Sequence, residues 1–238
     1  MSGLVVSGLV GVGGGWLDGG VSEIPDLDAG AVVWSHPEGD RDGRPLLVLL
    51  HGYGSHEQDL FGLVPFLPDA FTFAAVRAPL SPPFPTPGWS WFPIEGLYER
   101  DSETTTRAAE RFLAWVDALG HDGPIGLLGF SQGAVIATQA LRLRPDGFAF
   151  AVTLAGYADP GILPTDAALK ELRPPVFWGR GARDEVIPAP LVEHTVAWLP
   201  EHVELSGRVY AGLAHSVSQD ELDDVVAFLG KRLDDPAG

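Results

Sequence analysis

From residue 31 onward the chain alternates between two spacings of apolar residues. Short apolar runs at Ala31 to His36, Pro45 to His51, Phe71 to Val76, Ile125 to Phe130, Phe148 to Leu154, Pro175 to Gly179 and Val203 to Tyr210 have the length and composition of buried strands. Between them the apolar positions recur every three or four residues. Near Thr105 to Leu119, Phe112, Trp115, Val116 and Leu119 share one helical face, and Gly120 is the stop. A second helix is expected over Pro190 to Leu199. A last one follows the capping box Ser218-x-x-Glu221, with Leu222, Val225, Val226 and Leu229 on its inner face. Strand and helix in alternation predict βα units, and hence an α/β fold: one domain with a mostly parallel sheet and helices on both faces.

One stretch breaks the alternation. Ala78 to Pro93 holds six prolines together with Phe84, Trp89, Trp91 and Phe92, which rules out a helix or a central strand and predicts an ordered aromatic loop. The interval between Leu154 and Pro175 is too short for a lid domain. Residues 1–30 are Gly-rich with only acidic charges and are expected to pack on a domain spanning 31–238.

Composition narrows the function classes. The formal charge of −17 argues against nucleic acid and anionic lipid, both of which need clustered Lys and Arg. No cysteine is present, which excludes a thiolate nucleophile, a disulfide and a Cys-ligated metal. The apolar N-terminus lacks the positive region of a secretory signal, since the first basic residue is Arg41. No apolar run approaches 18 residues. The expectation is a cytoplasmic protein that does not insert into membranes, with its oligomeric state open.

The chemistry centres on Gly129-Phe-Ser131-Gln-Gly133, a G-x-S-x-G segment between a strand and an alanine-rich helix. That context predicts a nucleophile elbow carrying Ser131; Ser131 could otherwise simply cap the helix. A serine hydroxyl needs a neutral imidazole to take its proton and a carboxylate to orient that imidazole. Of the histidines after Ser131, His194 falls in a helix and His202 at the wrong end of the last strand, whereas His215 lies between the last strand and the last helix. Asp184 and Glu185 compete as the acid; Asp184, first out of the glycine turn, is preferred. An oxyanion hole needs two N–H donors, expected from Gln132 and from Tyr53 in Leu-His51-Gly52-Tyr53-Gly54. His51 is read as structural, and Ser55-x-x-Gln58 as the cap of the next helix. Trp89, Trp91 and Phe92 are candidates for an acyl-pocket wall, or else pack the loop onto the domain.

LLHGYGSHEQDL, GFSQGA, GRGARDEVIP and AGLAHSVSQDEL, in this order, resemble the phospholipase/carboxylesterase branch of the α/β-hydrolases, which includes acyl-protein thioesterases. The resemblance runs from about Pro45 to Arg232. It implies Ser131, Asp184 and His215 as the triad, with Tyr53 and Gln132 as oxyanion donors. The function expected is that of a serine carboxylesterase on small to medium acyl or aryl esters, without metal or organic cofactor. A thioesterase, a lysophospholipase, a perhydrolase or an acyltransferase would use the same acyl-enzyme. From a different class, a non-catalytic binding protein on the same scaffold would show a broken triad.

Overall fold

The computed structural model describes residues 23–94 and 101–234. Seven strands form one sheet in the order β1-β3-β2-β4-β5-β6-β7. They are β1 (Val32–Trp34), β2 (Leu46–Leu50), β3 (Thr72–Val76), β4 (Ile125–Phe130), β5 (Phe150–Leu154), β6 (Pro175–Gly181) and β7 (Glu204–Tyr210). β1 pairs antiparallel with β3, and every other pairing is parallel. The helices are α1 (Glu57–Phe61), α2 (Ser102–Ala118), α3 (Gln132–Leu143), α4 (Asp166–Leu172), α5 (Ala189–His202) and α6 (Gln219–Asp234). All seven expected strands are present. The interval between β5 and β6 holds only the two-turn α4, with no lid domain.

Every residue of β2 is buried, because both faces of a parallel sheet are covered. Leu46, Val48 and Leu50 point into a core shared with Phe112, Val116 and Ile136 of α2 and α3. Leu47 and Leu49 face the opposite core, with Leu60 of α1 and Phe228 and Leu229 of α6. The period-two geometry of a strand thus divides five consecutive apolar residues between two cores. Ile24 and Leu27 are buried in the first core; residues 1–22 of the expected extension lie outside the described residues. No helix among the described residues is long and apolar enough to cross a membrane.

Strand order reverses at β2. The chain passes from β2 outward to β3, then crosses back to β4 on the other side, so loops leaving β2 and β4 diverge over a crevice. A topological switch point of this kind is where open α/β sheets bind ligands. Leu50 and Gly129 are register partners, so the His51 turn and Ser131 emerge side by side.

Two expected helix caps differ from the sequence reading. His56, not Ser55, caps α1: its Nδ1 accepts from Gln58 N at 3.3 Å, while Ser55 Oγ donates to Asp59 at 2.6 Å. Only half of the last capping box forms. Glu221 N donates to Ser218 Oγ at 3.2 Å, but neither Glu221 carboxylate oxygen finds a hydrogen-bond partner among the described residues.

Candidate active site

Ser131 sits between β4 and α3 at φ 53°, ψ −117°, a conformation that costs a non-glycine residue on the order of 1–3 kcal/mol and persists where the surroundings over-determine it. Its N–H donates to Leu154 O at 2.8 Å, and its carbonyl accepts from Ala134 and Val135. The flanking glycines are required by close approach. A Cβ at Gly129 would overlap the Gly133 carbonyl, and one at Gly133 would overlap the Leu50 carbonyl at the end of β2. The hydroxyl makes no cap bond to α3, which removes the simple capping alternative.

Instead, Ser131 Oγ lies 2.9 Å from His215 Nε2, and His215 Nδ1 lies 2.7 Å from Asp184 Oδ2. Asp184 Oδ1 accepts from the backbone N–H of Val186 at 2.9 Å and of Ile187 at 3.2 Å. Its side chain is only 6% exposed, so an ionised carboxylate here is held by three donors when Nδ1 carries the proton. That tautomer leaves Nε2 free to accept from the serine. Glu185, the competing acid, is exposed. The Phe130 ring packs against the imidazole, centroids 5.0 Å apart.

The loops carrying Asp184 and His215 come from β6 and β7 and are joined by backbone bonds. Ala182 N donates to Tyr210 O, and Arg183 N donates to Leu213 O, each at 2.9 Å. Gly181 makes this approach possible, since a Cβ there would run into the Leu213 carbonyl. Sequence spacing contains no trace of this contact between residues about thirty apart.

The His51–Gly54 turn lies against Ser131: a Cβ on Gly52 would stand 3.4 Å from Ser131 Cβ. Among the described residues, neither Tyr53 N–H nor Gln132 N–H donates to a protein acceptor. Both expected oxyanion donors are therefore uncommitted beside Ser131. His51 is buried, which lowers its pKa and keeps it neutral. Its Nε2 accepts from Ala78 N at 3.1 Å, in keeping with a structural role. His194 is in α5, and His202 stacks on Trp198 at the end of that helix; the structure brings neither to Ser131.

The aromatic loop separates the two readings offered by the sequence. Trp91 is 0% and Phe92 2% exposed, both within the core that contains Phe112. With almost no surface exposed, they follow the second of the two sequence readings: they pack the loop onto the domain and are not an acyl-pocket wall. Trp91 stands edge-on to Phe112, centroids 6.2 Å apart. Trp89 is half-buried, with the Arg77 guanidinium 5.0 Å from its ring. The Gln132 side chain, which the sequence reading passed over, is equally committed. Its Oε1 accepts from Trp91 N at 2.7 Å, and its Nε2 donates to Phe92 O at 2.6 Å.

A family model described as Phospholipase/Carboxylesterase matches residues 36–233. The chain belongs to this family. Acyl-protein thioesterase 1 of Saccharomyces cerevisiae is 34% identical over 109 residues, covering 44% of this chain and 48% of that protein. The chain thus spans about half the length of the first curated relatives it matches. Among solved structures, esterase PE8 is 28% identical with a TM-score of 0.68, covering 87% of this chain and 99% of that one. A Bacillus cereus carboxylesterase, at 20% identity and a TM-score of 0.71 over 84% of this chain and 93% of its own, shares the fold. The family's architecture is the α/β-hydrolase fold, and the sheet order and the strand–turn–helix at Ser131 described above conform to it.

Proposed function

We propose that this chain is a serine carboxylesterase that hydrolyses small to medium acyl or aryl esters through an acyl-enzyme. The observation that carries this reading is the continuous hydrogen-bonded line Ser131 Oγ, His215, Asp184 at 2.9 and 2.7 Å. His215 Nε2 takes the hydroxyl proton as Oγ attacks the ester carbonyl, and Asp184 stabilises the imidazolium that results. The carbonyl oxygen becomes an oxyanion facing the N–H groups of Tyr53 and Gln132. His215 then returns the proton to the departing alkoxide, which leaves as the alcohol, and the acyl group remains on Oγ. Water enters, loses its proton to Nε2 and attacks the acyl carbon. The carboxylic acid departs as the proton passes back to Ser131. The chemistry is complete with side chains and water.

A thioester substrate would follow the same steps with a thiol as leaving group. The relatedness to a yeast acyl-protein thioesterase favours it as the second reading.

The test is Ser131→Ala, assayed with p-nitrophenyl butyrate, a butyryl thioester of matched chain length, and a fluorophosphonate probe. Turnover should fall by at least about 10⁴-fold and labelling should vanish, as expected when a triad nucleophile is removed. Retention of both would refute the assignment. The ester-to-thioester ratio of kcat/KM in the unmodified protein separates the two readings.

A further inference from the structure

The segment from Gly88 to Phe92 touches both sides of the oxyanion site. Toward the His51 turn, Gly54 N donates to Trp89 O and Trp89 N to Ser55 O, each at 2.8 Å. Trp91 Nε1 donates to His51 O at 2.9 Å. The fit is close, since a Cβ at Gly88 would overlap the Gly54 carbonyl. Toward the elbow, the Gln132 amide engages Trp91 N and Phe92 O. Tyr53 stands within the four residues from His51 to Gly54, which are tied at both ends, and the other uncommitted N–H belongs to Gln132 itself.

We infer that Trp91 and the Gln132 side chain are positioning residues: together they form a buried brace that sets the separation of the Tyr53 and Gln132 N–H donors. This rests on the esterase reading above. A serine elbow on β4 and a turn on β2 are separate excursions from two strands, and strand pairing ends at Leu50 and Gly129. Beyond that point the turn and the elbow are held by direct packing, Gly52 against Phe130 and Ser131 and Gly133 against the Leu50 and His51 carbonyls, and by the hydrogen bonds of Trp91 and Gln132, which bridge the two excursions. Donors pre-set at the place where negative charge develops act on the transition state and leave ground-state binding nearly unchanged. The aromatic loop is then part of the catalytic support, which explains why its two most buried rings face the core.

The test uses Trp91→Phe, which keeps an aromatic ring beside His51 and Phe112 but removes the indole N–H. Its companion is Gln132→Met, which keeps the length of the side chain and the backbone donor while removing both amide contacts. With p-nitrophenyl butyrate, each variant should lose about tenfold or more in kcat with KM within about twofold, the pattern of a lost transition-state interaction. The inhibition constant of a trifluoromethyl ketone, whose adduct carries the oxyanion, should rise in parallel. Hydrogen exchange of amides 51–54 should quicken in both variants, read without substrate.

A rise in KM alone would overturn the brace in favour of a pocket wall. Unchanged kcat would overturn it too, whether or not exchange quickens. If the unmodified protein neither turns over esters nor takes the fluorophosphonate label, the esterase reading falls. The brace is then judged by exchange alone, where faster exchange upholds the mechanical coupling and unchanged exchange overturns it.

Discussion

Glu221 offers a stability prediction that is independent of catalysis. It is 1% exposed, and neither carboxylate oxygen has a hydrogen-bond partner among the described residues. Its neighbour on β6 is Gly179, where a Cβ would overlap Oε1. Burial pushes the Glu221 pKa up from 4.5 to about 7; the Asp224 charge adds to this, and the Ser218 contact opposes it. Below the unfolded value both states are protonated and the group has no effect. Between pH 4.5 and about 7 only the unfolded chain ionises, so stability is lost as pH rises through this window. Above it, both states are ionised and the penalty is constant. At 1.36 kcal/mol per pKa unit the penalty is about 3 kcal/mol, equivalent to roughly 6–12 °C in Tm for a domain of this size.

Glu221→Gln cannot ionise. Its amide introduces new buried donors, but their cost does not vary with pH, and all other titrating groups are common to both proteins. Urea unfolding followed by tryptophan fluorescence at pH 5 and pH 8 isolates the difference. The variant should gain about 2.5 kcal/mol on the unmodified protein between the two conditions, since part of the penalty is already present at pH 5. Stability curves that stay parallel would refute an uncompensated buried carboxyl at this position.

Asp184→Asn should lower kcat by about 10³–10⁴-fold through loss of the imidazole's orientation, while Glu185→Gln, at an exposed position, should leave it within about twofold; steady-state kinetics on both variants decides which acid serves. Gly181→Ala would force the Asp184 and His215 loops apart at the Leu213 carbonyl, and should cost activity of at least about tenfold together with a lower Tm, measured by esterase assay and thermal melt. Arg142 is fully buried and bonded to Asp166, Gln139, Asp159 O and Gly161 O. Arg142→Ala should destabilise the fold by about 3–5 kcal/mol in chemical denaturation, because it strands the Asp166 carboxylate.

Much of the fold is legible in local pattern. Strand runs such as Leu46–Leu50 are wholly apolar because both faces of a parallel sheet are buried, and that shows in any window of five residues. The chemical residues are legible for a related reason. A nucleophile elbow needs small residues on either side of Ser131, and the acid and base must leave later strands at their carboxyl ends, so order and glycine placement carry the signal. Caps were less legible. His56 replaces Ser55 at α1 because the chain's entry into the helix, not residue preference, selects which side chain reaches Gln58 N.

The sequence by itself determined the alternation of strand and helix, the glycine-flanked turn that carries Ser131 and the order along the chain of Ser131, Asp184 and His215, because each depends on spacing along the chain. Only the tertiary structure put Asp184 rather than Glu185 against His215, turned Trp91 and Phe92 from candidate pocket wall to core, and left Glu221 without a partner among the described residues. Those outcomes depend on which loops and helices pack against one another across the sheet. Contacts between residues thirty to eighty positions apart are set by sheet order and packing, which no local window contains.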